Sequence, residues 1–138
     1  MRAIGLDLGS KTIGIARSDL LKMVANPVET YRFDEDDYDQ ALQYVLKFID
    51  ENEVDEVILG LPKHMNGDIG VRAEISQSFK DALVEANNHI KVILWDERMS
   101  TISANRVLLS ANTSRNKRKK VIDKMAAVII LQSYLDSK

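Results

Sequence analysis

An apolar hairpin that carries one carboxylate opens this chain, and it constrains the fold more than any other segment. Residues 4–8 and 12–18 are predicted to form two β-strands joined by a tight polar turn, Gly9-Ser10-Lys11-Thr12. Apolar residues flank Asp7 on both sides, which predicts a carboxylate on a largely buried strand. A carboxylate in that position is unfavourable unless its charge is compensated. A metal ion is one such compensation, and oxygen-rich sites favour Mg²⁺ or Mn²⁺.

Length and composition indicate one globular domain over residues 1–138, with 45% hydrophobic and 29% charged residues. The chain contains no cysteine, which excludes disulfides and thiolate metal sites and suits a reducing compartment. The longest nearly apolar run, residues 125–131, is far shorter than the roughly 20 residues of a membrane helix. The N-terminus shows no signal-peptide pattern. These features predict a cytoplasmic protein with no membrane partner.

The order of predicted elements is β-β-β-α-β-α-β-α-α, which indicates an α/β fold. After the hairpin, strands are predicted near 28–33, 57–59 and 91–95, and helices after 34–37, over 71–86, from 100 or 101 to 110, and over 117–136. The three early strands can form an antiparallel meander, and the two later strands can extend the same sheet in parallel. The prediction is a mixed five-stranded sheet flanked by helices, with a site at the carboxyl ends of the parallel strands.

Acidic residues at three places are candidates for that site. Asp7 lies on the first strand, Asp96 and Glu97 close the last strand, and Asp123 is predicted one turn into the final helix. Successive strand residues face opposite ways, so only one of the 96/97 pair can join Asp7 from an unbroken strand. We choose Glu97 for its longer side chain and keep Asp96 as an alternative metal ligand. Asp7, Glu97 and Asp123 are therefore the candidate catalytic residues.

Such a trio suits phosphodiester hydrolysis, because two divalent ions can activate a water and stabilise the leaving oxygen without any histidine or cysteine. Each acidic residue also has a purely structural interpretation. Asp7 can stabilise a turn, the 96/97 pair can form ion pairs with Arg98, and Asp123 can be the i,i+4 partner of Lys119. Spacing alone does not show that the three converge.

A basic run precedes Asp123, although the net charge of the chain is −2. At the start of a helix it would form a cationic face that neutralises phosphates, with salt-sensitive and sequence-independent binding. The alternative is a solvated charged face. The candidate nucleic-acid contacts in this run and elsewhere are Lys11, Lys63, Arg98, Arg115, Arg118, Lys119 and Lys120.

Four segments in order along the chain resemble the YqgF/RuvX family. They are Gly5-Leu-Asp-Leu-Gly-Ser-Lys-Thr-Ile-Gly-Ile-Ala, Gly60-Leu-Pro-Lys-His-Met-Asn-Gly, Asp96-Glu97-Arg98-Met-Ser-Thr, and Asp123-Lys-Met-Ala-Ala-Val-Ile-Ile-Leu-Gln-Ser-Tyr-Leu. Members of that family are described as Holliday junction resolvases or pre-16S rRNA nucleases with a ribonuclease H-like fold. Four motifs in register are specific, whereas any one of them would not be.

The resemblance implies a bacterial cytoplasmic nuclease that trims the 5′ end of precursor 16S rRNA in ribosome biogenesis, with structured RNA and ribosomal precursor particles as partners. It also implies a divalent-metal site built from Asp7, the acidic pair at 96 and 97, and Asp123. Asn66 stands where an aspartate is common, and Met99-Ser100 replaces a more usual Leu or Phe followed by Thr. Related resolvases commonly offer a fourth carboxylate near the last one, where this helix has lysines.

Other functions stay open at this point. The same family resemblance allows a resolvase of four-way DNA junctions, for which a two-fold dimer would match the substrate; the sequence does not decide between monomer and homodimer. A non-catalytic RNA-binding module would keep the fold without the chemistry. The first hairpin also resembles the phosphate-binding hairpin of actin-like ATPases and sugar kinases, which need two such domains around a nucleotide.

Overall fold

The structure is a computed structural model that describes residues 1–61, 69–96 and 115–137. The strands are β1 (Arg2–Leu8), β2 (Thr12–Ser18), β3 (Ala25–Arg32), β4 (Val54–Leu61) and β5 (Lys91–Asp96). The described helices are α1 (Tyr38–Asn52), α2 (Ile69–Ala86) and α3 (Arg115–Asp136). The helix predicted over 100–110 lies outside the described residues.

All five strands belong to one sheet, in the order β3-β2-β1-β4-β5. Strand β2 pairs antiparallel with both β1 and β3, so the first three strands form a meander. Strand β4 pairs in parallel with both β1 and β5. The predicted mixed sheet is confirmed, and the strand that carries Asp7 is its central strand.

Strand β3 begins at Ala25, three residues before the predicted start, and it contains Pro27. Proline has no N–H to donate, so it is tolerated in a strand at the end of the sheet. The pairing of β2 with β3 shifts register at this point, with Ile15 opposite Glu29 and Ala16 opposite Pro27. The prediction placed Pro27 before the strand, because the sequence does not reveal that β3 is an edge strand.

Helix α1 begins and ends at residues suited to those positions. The Asp37 side chain accepts a hydrogen bond from the Gln40 N–H at 3.3 Å, which caps the first turn as the acidic residues before the helix predict. At the other end Glu53 adopts a left-handed conformation, with φ at 52°, and its N–H donates to the Ile49 carbonyl oxygen. This cap turns the chain directly into β4.

Helices α2 and α3 differ from the prediction in detail. Helix α3 begins at Arg115, two residues early, so Asp123 lies about two turns into the helix instead of one. In α2, the apolar residues Phe79 and Leu83 are buried, whereas Val71, at the predicted start of the helix, is 66% exposed. Within the described ranges, no helix is both long enough and apolar enough to cross a membrane.

The sheet separates two apolar cores. On one face, β1 contributes Ile4 and Leu6 to a core shared with α1 and α2. On the other face, Ala3 of β1 packs in a core with α3. Because side chains alternate along a strand, positions 3, 5 and 7 of β1 lie on the α3 face.

Helix α3 approaches this face closely at Gly5. A Cβ atom at position 5 would lie 2.6 Å from the Ala127 carbonyl oxygen and 2.7 Å from the Leu131 Cβ atom. Both distances are too short for a carbon atom, so a glycine is required while the helix keeps its position. The missing side chain sets the spacing between α3 and the central strand.

A charged network ties the far end of α3 to the sheet. The Lys22 Nζ atom, in the turn between β2 and β3, lies 2.9 Å from the Asp55 Oδ1 atom and donates to Glu56. The Tyr134 hydroxyl of α3 donates to the other Glu56 oxygen at 2.9 Å. Burial by itself lowers the pKa of Lys22, but the hydrogen bonds to Glu56 and Asp55 outweigh burial and raise that pKa.

We expect Gly5→Ala to lower the free energy of unfolding by about 1–3 kcal/mol, because the added methyl group overpacks the contact with α3. Gly70→Ala is the control: a Cβ atom there would meet nothing within 4 Å, and alanine favours a helix over glycine by up to about 1 kcal/mol. Urea unfolding followed by circular dichroism measures both variants. Equal stability of the two variants would contradict the close approach at Gly5.

We expect Lys22→Met to lower the free energy of unfolding by about 1–3 kcal/mol, less than for a fully buried pair because the Lys22 side chain is 26% exposed. Since the pKa of Lys22 is raised, its contribution is complete below the ordinary lysine value of 10.5 and is lost as pH rises through the folded value. Thermal unfolding from about pH 8 to 11.5 should show the wild type losing its advantage only at the alkaline end. A difference that stays constant with pH would refute the ionic contribution; the exposed Lys47→Met is the control.

Candidate active site at the carboxyl end of the central strand

Asp7 lies one residue before the end of β1 and is half-buried. It stands opposite Gly14 of β2 in the antiparallel pairing. A Cβ atom at position 14 would lie 3.7 Å from the Asp7 Cβ atom and 3.5 Å from the Ala127 Cβ atom. Asp7 therefore lies on the α3 face, beside a glycine and an alanine, and Gly14 leaves room beside the strand.

The direction of α3 brings its first half toward Asp7. Leu131 and Ala127 both lie against Gly5. Ala127 also lies next to Gly14, the residue of β2 that stands opposite Asp7. Earlier residues of α3 thus lie nearer the carboxyl end of β1. Asp123 precedes Ala127 by four residues, about one helical turn, so the helix carries position 123 past Ala127 toward that end.

The carboxyl ends of the three parallel strands share one edge of the sheet. Leu6 of β1 is level with Leu59 of β4, which is level with Leu94 of β5. Strand β5 then ends at Asp96, about 10 Å from β1 across two strand spacings. Glu97 lies outside the described residues.

The candidate phosphate contacts divide into three groups. Lys11 is exposed in the turn between β1 and β2, at the same end of the sheet as Asp7. Lys63 and Arg98 lie outside the described residues. The remaining four occupy backbone positions in the first two turns of α3, where the structure does not describe the side chains: Arg115, Arg118, Lys119 and Lys120.

Among the predicted metal ligands, Asp7 has a described side chain, whereas Asp96 and Asp123 are described as backbone positions of β5 and α3. Within the part of the chain that the structure describes, no three acidic or histidine side chains form a group that could hold a metal ion. The structure places the backbone positions of Asp7 and Asp96 at the carboxyl end of the parallel strands, and the convergence of Asp123 with them stays a prediction.

Two packing residues, Gly5 and Ala127, are absent from the sequence-predicted site although they set its geometry. The signal that could have found them is the run of small residues on alternate positions of β1, Ala3 and Gly5, followed by Asp7. Small residues at alternate strand positions leave room for a helix to approach one face.

A solved structure shares this architecture. The chain aligns with “T. thermophilus RuvC in complex with Holliday junction substrate” at a TM-score of 0.64, covering 99% of this chain and 94% of that chain at 13% sequence identity. The antiparallel meander and the two strands that extend it in parallel form a ribonuclease H-like fold. The predicted fold class is confirmed.

The family follows from the sequence. A family model described as “RuvX: Holliday junction resolvase” matches residues 1–137, and the chain belongs to this family. The chain is 55% identical to a “Putative pre-16S rRNA nuclease” of a Geobacillus species, covering 100% of this chain and 99% of the relative. It is 56% identical to a protein of the same name from Oceanobacillus iheyensis, over 100% of both chains. These are names of nucleases, enzymes that hydrolyse phosphodiester bonds, as the sequence predicts.

Proposed function

We propose that this chain is a divalent-metal-dependent endonuclease that processes the 5′ end of precursor 16S rRNA in the bacterial cytoplasm. The names of relatives that are 55% and 56% identical over the whole chain support the substrate. The observation that supports this chemistry is the direction of α3. The helix contacts Gly5 through Ala127 and Leu131, and this contact directs position 123 toward the end of the sheet where Asp7 lies. This course favours a site that is shared by one residue of the central strand and one residue of the covering helix.

The proposed catalytic carboxylates are Asp7, Glu97 and Asp123. In β5, Ile93 and Trp95 pack in the core with α3, whereas Val92 packs in the core on the other face. Continuing this alternation by one step favours Glu97 over Asp96 as the group on the face of Asp7. The longer glutamate side chain also suits the distance of two strand spacings between β1 and β5, about 10 Å.

Mg²⁺ or Mn²⁺ fits this donor set, because carboxylate oxygens are the ligands that hard divalent cations prefer. Gly14 and Ala127 present only a hydrogen and a methyl group beside Asp7, which suits a bulky hydrated ion and a phosphate. When bound, such ions activate a water and stabilise the leaving oxygen. The chain would supply ligands from a strand, a strand end and a helix, three rigid elements that keep a reacting phosphate in one orientation.

Phosphate binding is assigned to Lys11 and to the basic first turns of α3. Lys11 is exposed at the end of the sheet where Asp7 lies, and the start of α3 lies toward that same end. Contacts of this kind are independent of base sequence and fit the backbone of a structured RNA. Recognition of a precursor ribosomal particle would then depend on RNA shape more than on base identity.

Cleavage of four-way DNA junctions is the second candidate. The description of the family favours it, and so does the fold shared with a RuvC bound to a Holliday junction. Symmetric cleavage of a junction calls for a two-fold dimer, so the oligomeric state bears on the substrate. A non-catalytic RNA-binding module and a nucleotide-binding half-domain are further outcomes that the experiment below separates.

We expect Asp7→Asn to reduce cleavage by at least about 100-fold while leaving the fold and RNA binding intact, because the substitution removes a charged ligand and keeps the shape. The assay compares a labelled RNA spanning the 5′ end of precursor 16S rRNA with a labelled four-way DNA junction, each with Mg²⁺ or Mn²⁺. Asp50→Asn is the control, since Asp50 is exposed on α1.

Each result of this assay selects one function. Cleavage of the RNA alone, lost in Asp7→Asn and kept in Asp50→Asn, supports the processing nuclease. Cleavage of the junction alone supports the resolvase. Equal behaviour of Asp7→Asn and the wild type would refute the catalytic assignment, and RNA binding without any cleavage would support the non-catalytic module. A stabilising effect of ATP on thermal unfolding would instead support a nucleotide-binding domain.

We expect Mg²⁺ to raise the melting temperature of the wild type relative to EDTA, because an ion that binds the folded state stabilises it. At ten times its dissociation constant the gain is about 1.4 kcal/mol, or about 4 °C for a chain of this length. Asp7→Asn should lose this increment, because the substitution removes a ligand of the ion. An increment that survives in Asp7→Asn would show that the ion binds elsewhere.

A further inference from the structure

A cleft between α1 and α2 lies on the face of the sheet opposite Asp7. Its volume is about 420 Å³, within the range of sites that take a ligand or a few side chains. The residues that form its walls are mainly apolar or aromatic, with two carboxylates at the rim: Tyr38, Leu42, Ile75, Phe79, Asp39 and Glu74. Phe79 is buried and forms the floor, whereas Asp39 and Glu74 are exposed.

The described charged residues that line this cleft are both acidic, Asp39 and Glu74. The segment before α1 also carries Asp34, Glu35, Asp36 and Asp37. None of the described residues that line the cleft is basic. The rim of the cleft therefore carries negative charge, whereas its floor is apolar.

The acidic segment is held in place. The Asp36 N–H donates to the Ser10 carbonyl oxygen at 2.8 Å, and the Tyr38 hydroxyl donates to the Asp36 carboxylate at 3.1 Å. Asp37 is fixed as the cap of α1. The first turn of α1, which supplies Tyr38 and Asp39 to the cleft, is therefore ordered before a partner binds, and this lowers the entropic cost of binding.

The charge of the rim decides the class of partner. Phosphate backbones would be repelled by these carboxylates, so nucleic acid is not the occupant. A helix or extended segment that carries lysine or arginine beside apolar side chains would match both the rim and the floor. Because α1 and α2 pack on the face opposite α3, the cleft does not overlap the face of the sheet that carries Asp7.

We propose that this cleft, the α1–α2 groove, docks a basic amphipathic segment of a partner protein. Two or three aliphatic side chains of the segment occupy the space between Leu42, Ile75 and Phe79. Its lysines or arginines pair with Asp39 and Glu74 at the rim. This assignment goes beyond the proposed nuclease activity and does not depend on it.

The test is a fluorescence anisotropy titration of the full chain with a labelled 14-residue peptide. The peptide carries leucines at helical spacing i, i+3, i+4 and i+7 and lysines or arginines elsewhere. A second peptide replaces the leucines with serine at the same charge. The rim variant is Asp39→Asn with Glu74→Gln, and the control is Asp50→Asn with Glu85→Gln, which removes one exposed carboxylate from each of the same helices.

The leucine peptide should bind the wild type and the control alike, within about twofold, and the rim variant at least about tenfold more weakly. The serine peptide should bind at least about tenfold more weakly than the leucine peptide. Ser78→Arg, an exposed position in the wall of the groove, should also weaken binding and provides a second variant if the rim variant is unstable.

Three results would overturn the proposal. If the leucine peptide bound the rim variant and the control equally weakly, the loss of affinity would come from the overall charge of the protein and not from the rim. Equal binding of the serine and leucine peptides would remove the role of the apolar floor. Absence of binding to the wild type at millimolar peptide would show that the groove does not dock a segment of this kind.

RNA cleavage by the rim variant at the wild-type rate would show that the groove and the nuclease site act separately, whereas a loss of cleavage would contradict that separation.

Discussion

The contact between helix α3 and the glycine of the central strand is the constraint on which the rest of this structure depends. Because position 5 is a glycine, the backbone of α3 can lie directly against β1, with Ala127 and Leu131 next to Gly5. The helix then runs across the sheet in the direction opposite to β1, and its basic first half extends toward the carboxyl edge. Packing and the geometry of the candidate site are therefore two results of one contact, since a helix displaced from β1 would also displace position 123.

The far end of α3 is held by a different kind of interaction. Glu56 accepts from Tyr134 of the helix and from Lys22 of the β2–β3 turn, so three separate segments meet at one carboxylate. A helix held by packing at one point and by charge at another has a defined orientation across the sheet. The opposite face of the sheet has its own core, with α1 and α2, and its surface charge has the opposite sign to the basic run of α3. The two faces can therefore serve different partners.

Most of the fold could be predicted from the sequence because its signals are local. The apolar hairpin over residues 4–18 and the helix after the acidic residues 34–37 each depend on neighbouring residues, and the structure has these elements close to where they were expected. The start of β3 was predicted wrongly, because the meaning of Pro27 depends on its place at the edge of the sheet. The exposure of Val71 and the tight contact at Gly5 also depend on distant parts of the chain. For the same reason the convergence of Asp7, Glu97 and Asp123 stays a prediction, as no pattern in the sequence reports the distance between elements far apart along it.

The edge strand has a consequence for how copies of this protein behave toward one another. An exposed strand edge offers a ladder of hydrogen-bonding groups that can recruit another chain and extend the sheet without limit. In β3, Pro27 removes one donor from that ladder, and the shift of register beside it bends the strand. The same residue that misled the sequence prediction thus helps to protect the exposed edge strand from pairing with another chain. A substitution of Pro27 by valine would keep the strand and remove that protection, so its harm would appear in crowded solutions and not in the stability of a single molecule.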